Sequence, residues 1–471
     1  MAGGPARISN SKRQKHDGDE DVYDRISALP NVLRTHILSF LPTKEAVRTC
    51  VLSKRWKFAW TSISKLEFIE AQVSEKNKRI NEQSFEKYVD GVLGRHDALF
   101  INKFILQCWS HDFHHEHRPL HVSKWISTAI ALNVEELDIL VRGLKPVALP
   151  PCLYTCGRLK VLKLRGILTL QVPELVCLNS LKILWLQGIM FLEDNSLRKL
   201  LSGSQFLDEL LVRTISCNSR SLGISSLSYI SSPSLKILKI QDCLGYPKPM
   251  EYSVVVDAPN MTDLHISIED ARRKCYTVKN SPNLVSAHIE INSSPNADVF
   301  VKLLENISHI SRLNLLGLTK DLLEGDHYQN VPVFHNLKHL TIEILEGGWQ
   351  HMTGWQHMTC ILERSPNLAS LSLNPGNFYF EWHQPDHVPG CFSSHLDEVM
   401  IRNFEGWDGD LRVIEYLLKH GTVLKKMIIC PSDRPIWIRG SSLRPSKLKL
   451  DVFKQMLMFP RGSATCQIVF S

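Results

Sequence analysis

The sequence predicts an α/β chain in three parts: a small three-helix module, an irregular solenoid of strand-bearing repeats, and a distinct carboxy-terminal cap. Three observations point there. Over residues 24–62, short stretches of helically spaced apolar residues alternate with proline breakers. From residue 100 onward one pattern keeps returning: apolar, two variable, apolar, one variable, apolar. Its starts at 159, 181, 207, 235, 261, 284, 310 and 337 lie 22 to 28 residues apart, within the period of about 20–29 at which such solenoids repeat. Residues 396–430 then read as strand, helix and strand. At 471 residues the chain exceeds the size at which one compact core keeps growing. The division that follows is a tail over 1–22, the helical module over 23–66, the solenoid over 67–395 and the cap over 396–471.

Composition narrows the function classes. The opening MAGGPARISNSKRQKHDGDED is polar and has no apolar signal region, so an intracellular location, nucleus and/or cytoplasm, is expected. Lys12, Arg13 and Lys15 could act as an import patch, though an ordinary solvated tail fits them as well. No window approaches 18 uncharged apolar residues, so no membrane span and no membrane partner are expected. The net charge of +7 is too small and too dispersed to suggest nucleic acid. The 12 cysteines form no CxxC pair and are expected as reduced, buried thiols.

The helical module begins near Asp24. Pro30 sits at the start of a first helix, where a missing N–H costs nothing. Leu33, Ile37 and Leu41 recur at every fourth position, and Pro42 ends the run. Thr43 is placed to cap a second helix, and Ser53 a third that carries Trp56 and Trp60. Three helices in about 40 residues make a core too small to be comfortable alone. The physics reads as a docking module or as a cap on the next domain. The run LPxxxxxxILSFLPxxEAVRTxVLSKRW, Leu29 to Trp56, also resembles the F-box of large plant families. The resemblance implies docking to a Skp-type adaptor and, through it, to a cullin. By motif position, Leu29, Pro30, Ile37, Leu38, Leu41, Pro42, Val51, Leu52 and Trp56 would serve adaptor docking or the module's own core. The pairs Leu29–Pro30 and Leu41–Pro42 are expected as direct contacts.

The repeats follow one physical rule. Each L-x-L is a short strand whose apolar side chains point into a leucine-rich-repeat solenoid while the residue between them faces outward. Pro-Asn or Pro-Ser precedes several strands, at 233–234, 259–260, 282–283 and 366–367, and marks the return turn. The asparagine common after the strand in the best-known repeat is mostly absent. Phase puts Lys163, Trp185 and Lys239 on the outward face, with Arg165 and Arg213 just past their strands. An exposed tryptophan among four cations suits an acidic peptide or a phosphate. A solvated strand face with Trp185 under a neighbouring loop is the plainer reading.

At the carboxy end, Leu411, Ile414, Leu417 and Leu418 form a helical stripe that stops at Gly421, and the terminal FPRGSATCQIVF resembles the FBD domain. The whole is thus identified as similar to the plant F-box/FBD/leucine-rich-repeat family: a small three-helix F-box, an irregular leucine-rich-repeat solenoid and an FBD-type cap. That resemblance implies the substrate-recognition subunit of an SCF-type E3 ubiquitin ligase, which binds an unknown protein substrate. A non-ligase scaffold, or a co-receptor assisted by a small polyanion, are the alternatives. His111, His114, His115, His117 and His121 could gather a metal, but lack cysteine partners or an HExxH helix and read as a loop. GWQHMT occurs at 348–353 and again at 354–359, like a loop insertion. No phosphate loop, nucleophile elbow or dinucleotide fingerprint occurs, so no catalysis, cofactor or metal is expected.

Overall fold

The computed structural model describes residues 26, 28–70, 78–109, 118–143, 146–213, 228–241, 252–268, 274–292, 297–317, 330–343, 354–374, 385, 387–406, 408–432, 452 and 454–471. The basic tail and His111–His117 lie outside them.

Strand residues alternate between two faces, and here that alternation builds one long sheet. Fifteen strands, from Lys65–Ile69 to Gln467–Phe470, pair in parallel and in chain order. The short strand Val147–Ala148 joins the side of Val161–Leu170. Parallel neighbours in chain order require each connection to return to the same end, as a solenoid demands. The inward residues of the L-x-L pattern form the core: Leu184, Leu210, Leu238, Leu264 and Leu313 are fully buried. A second, three-stranded parallel sheet, Tyr229–Ser231, Tyr252–Asp257 and Lys274–Lys279, is built from the returning segments of the middle repeats.

The return turns carry an unexpected amide ladder. Asn260, Asn283, Asn336 and Asn367 stand before their strands, not after them. Each donates its Nδ2–H to a carbonyl one repeat back: Pro233, Pro259, His309 and His335, at 2.7 to 3.2 Å. The ladder ties each return turn to the one before it.

Gly166 marks a bulge in the longest strand. Its φ is +98°, and an added Cβ would sit 1.8 Å from the carbonyl oxygen of Val141.

The repeat of GWQHMT is no loop in its second copy. Residues Gly354–Glu363 form a helix in which Cys360, Ile361 and Leu362 are buried. At the carboxy end, strand Glu398–Phe404, helix Asp408–His420 and strand Lys426–Pro431 continue the sheet. Gly462 lies against that helix end and donates its N–H to the Leu418 carbonyl at 2.8 Å. Met456 and Cys466 are buried there and cover the last core residues.

The ten described cysteines are unpaired. Burial pushes the Cys391 thiol up to about 12, so it stays protonated and inert. No helix among the described residues is long and apolar enough to cross a membrane.

Candidate functional site

The amino module is built on helices Asn31–Ser39 and Thr43–Arg48, each entered through a proline N-cap. Thr43 is therefore not the cap. Its hydroxyl accepts the Glu67 N–H at 2.6 Å and ties the second helix to the first strand of the sheet. The expected third α-helix is also absent: turns over 54–58 lead to a 3-10 turn, Ala59–Ser62. Arg34 is buried in the first helix, and its guanidinium donates to the Arg55 carbonyl and the Asn31 side chain, tying that helix to the turn that replaces the third.

The nine motif positions divide by burial. Leu38 is 0 % and Trp56 4 % exposed, and with Ala46, Trp60 and Ile63 they form the module's core. Of the two roles that motif position left open, docking or core, these two take the core role and offer no surface. Leu29 and Leu41 are half-buried, while Pro30 and Pro42 are exposed at the helix starts. Ile37 at 41 %, Leu52 at 65 % and Val51 at 83 % face solvent. Val32, Leu33, Phe40 and Phe58, none of them a docking candidate from the sequence, are exposed as well. Large apolar side chains grouped on one small module mark an interaction surface.

The outward face of the sheet is the second surface, and strand register sets its order. Asp138, Lys163, Trp185, Leu211 and Lys239 lie side by side on consecutive strands. His265 and His288 follow, then Asn314, Thr341 and Ser372, then Met400 and Ile428. Charge, hydroxyl or amide, and apolar groups thus occupy successive zones of one face.

Trp185 is half-buried rather than exposed. Lys163 Nζ lies 5.1 Å and Arg165 Cζ 5.8 Å from its ring centroid, and the indole N–H is covered without an acceptor. The basic character expected around it is also reduced. Arg165 pairs with Asp138 at 2.6 Å, and Lys239 with Glu209 at 2.8 Å. Lys163 has no ion-pair partner among the described residues, and Arg213 is exposed at its strand end. Next to Lys239, the His265 and His288 rings stack with centroids 5.2 Å apart. Burial, His288 and then Lys239 hold the His265 imidazole below its usual range.

Among the described residues, no group of three or more His, Cys, Asp or Glu side chains could hold a metal. His121 instead leans toward Asp90, 3.9 Å away, and Trp125.

Known families match the same three parts. Residues 26–68 match the F-box domain, 122–287 the leucine-rich repeats of FBD-associated F-box proteins, and 384–429 the FBD domain. An Arabidopsis thaliana FBD-associated F-box protein, At4g10400, is 30% identical over 95% of this chain and 100% of its own length. F-box/LRR-repeat protein 13 of the same plant is 30% identical over 97% of this chain and 99% of itself. The chain belongs to the plant F-box/FBD/LRR family.

The exposed apolar residues Ile37, Val51 and Leu52 of this F-box/FBD/LRR protein therefore lie within its F-box, and Trp185 with its flanking cations lies within the matched repeats. Sequence reasoning missed Arg34 because arginine is seldom buried. It missed Asp138 and Glu209 because they are 27 and 30 residues from their partners. Aligning the repeats column by column would have placed each carboxylate one strand away.

Proposed function

We propose that this protein is the substrate-recognition subunit of an SCF-type E3 ubiquitin ligase. Its F-box docks onto a Skp-type adaptor, and through it onto a cullin. The outward face of the repeats holds a protein substrate, with Lys163, Arg165, Trp185 and Arg213 contributing. Arg165 and Lys239 are tied to Asp138 and Glu209 and contribute less than Lys163. The observation that carries this reading is the F-box surface: Ile37, Val51 and Leu52 stand in solvent beside a complete core of Leu38, Ala46 and Trp56. Side chains that could have been buried and are not leave apolar area for a partner to cover, worth about 25 cal/mol per Å².

The chain supplies no chemistry to ubiquitin transfer. It holds the substrate near a transfer centre on other subunits, which converts an encounter into a positioned reaction. The test is quantitative proteomics on cells expressing the wild type or a Val51→Asp, Leu52→Asp variant. Proteins captured by both forms should accumulate, with less ubiquitin attached, only with the variant. Captured proteins whose abundance and ubiquitylation do not differ between the two would overturn the ligase role.

A further inference from the structure

The edge of the solenoid that leads into the strands carries an arrangement that neither surface uses. The residue before each strand donates its N–H to the carbonyl of its counterpart one repeat back, so these residues form a continuous column. Five of them are lysines, and four are paired with carboxylates. Lys160 pairs with Glu135 at 2.8 Å, and Lys425 with Asp397 at 3.1 Å. Lys182 and Lys236 share Asp208, at 3.4 and 2.9 Å. Lys338 stands between Ser311 and Ala369 and has no ion-pair partner among the described residues. Arg312, one residue past Ser311, is exposed and likewise unpaired there.

Lys338 also lies in an open groove of about 730 Å³, lined by His309, His335 and His395 and by no carboxylate. Two of the imidazoles are held in place: His309 Nε2 lies 2.9 Å from the Ser281 carbonyl, and His395 Nδ1 lies 2.9 Å from the Ser394 hydroxyl. Asn336 and Asn367 bond the main-chain carbonyls of His309 and His335. Val285 and Ala369 add apolar surface between them. The lining draws on five successive repeats, roughly 19 Å at about 4.8 Å per strand, the length of five or six residues of extended chain. An inorganic anion would fill a fraction of that length.

We propose that this groove is a second recognition site, which takes an extended acidic segment of a partner protein with a carboxylate or phosphate side chain seated on Lys338. Its chemistry is complementary: an unpaired lysine, imidazole rings from three neighbouring repeats, and an apolar strip for the stem of the bound chain. The column explains the choice of place, because Lys338 is the point where the built-in carboxylate of the neighbouring repeats is missing. The site stands apart from the F-box and from the outward face, so it does not depend on the ligase reading.

The test uses the full chain and an array of dodecapeptides in which aspartate, glutamate or phosphoserine is varied against asparagine, glutamine or serine. Binding of the retained peptides is then measured by fluorescence anisotropy. Acidic or phosphorylated peptides should bind and their neutral counterparts should not. Lys338→Glu should weaken that binding roughly tenfold or more, whereas Lys87→Glu, at an exposed lysine outside every proposed surface, should leave it within about twofold. Lys338 is exposed, and circular dichroism of the variant should match the wild type. Retention of no acidic peptide above the neutral ones would overturn the proposal, as would equal losses from the two variants. A dissociation constant for inorganic phosphate equal to that of the peptides would mark a simple ion site and end it too.

Discussion

Leucine has opposite fates at the two ends of this molecule. In the repeats, Leu210, Leu238 and Leu264 are wholly buried, because every strand has a neighbour that covers its inward face. In the F-box, Leu38 is buried but Leu33 and Leu52 are not, because three short elements can enclose only one side of themselves. The repeat array is sealed by its own periodicity. The F-box leaves several large apolar side chains, Val32, Phe40, Val51 and Leu52 among them, exposed. Equal hydrophobicity in sequence therefore says little about stability until it is known which surface lies opposite.

The sharpest way to break this comparison is to remove equivalent side chains from the two regions. Leu238→Ala should destabilise the fold by about 2–5 kcal/mol, the cost of a cavity in a packed core. Leu52→Ala should change stability by no more than about 0.5 kcal/mol. Chemical denaturation of the two variants checks both, and equal losses would remove the distinction. A second comparison sets a backbone position in the repeats against a side chain in the F-box. Gly166→Ala should cost about 2 kcal/mol or more, since the residue has positive φ and a Cβ there meets the Val141 carbonyl. Arg34→Ala should cost about 1–3 kcal/mol through the lost hydrogen bonds of its buried guanidinium to the Arg55 carbonyl and the Asn31 side chain. Hydrogen exchange should confine that loss to the F-box and leave the repeat strands protected.

The smallest effect expected is on pH. His265 is held below its usual range by burial, by His288 and by Lys239, against Asp263 and Glu209, which act the other way. The unfolded chain therefore takes up a proton there before the folded chain does. Its contribution is fully present above the ordinary histidine range near 6.5 and declines as pH falls below it. Thermal melts at pH 7.5 and 5.5 should differ by more in the wild type than in His265→Gln. An equal difference in both would remove His265 as the cause.

Much of the fold was legible because a strand has period two. Once the L-x-L phase was found, the register Lys163–Trp185–Leu211–Lys239 followed, and the structure reproduces it. The first F-box helix was harder. Leu33 and Ile37 recur at every fourth position, the usual mark of a buried face, yet the buried pair on that helix is Arg34 and Leu38, spaced in the same way. Periodicity finds a helix but cannot say which of two such stripes turns inward. The Trp56–Trp60 spacing misled for a related reason: two buried tryptophans four apart fit a helix, and here they sit on a turn and a 3-10 segment instead. At Trp185, alignment gave the neighbours correctly, but the carboxylates that neutralise Arg165 and Lys239 come from strands far away in sequence.

Isothermal titration of the purified full chain with a Skp-type adaptor addresses the docking surface most directly. The wild type should bind, and the Val51→Asp, Leu52→Asp variant should bind at least about 100-fold more weakly, as expected for the loss of a central apolar anchor. Its denaturation midpoint should not move. Unchanged affinity in the variant, with the fold intact, would contradict docking through the exposed apolar residues of the F-box.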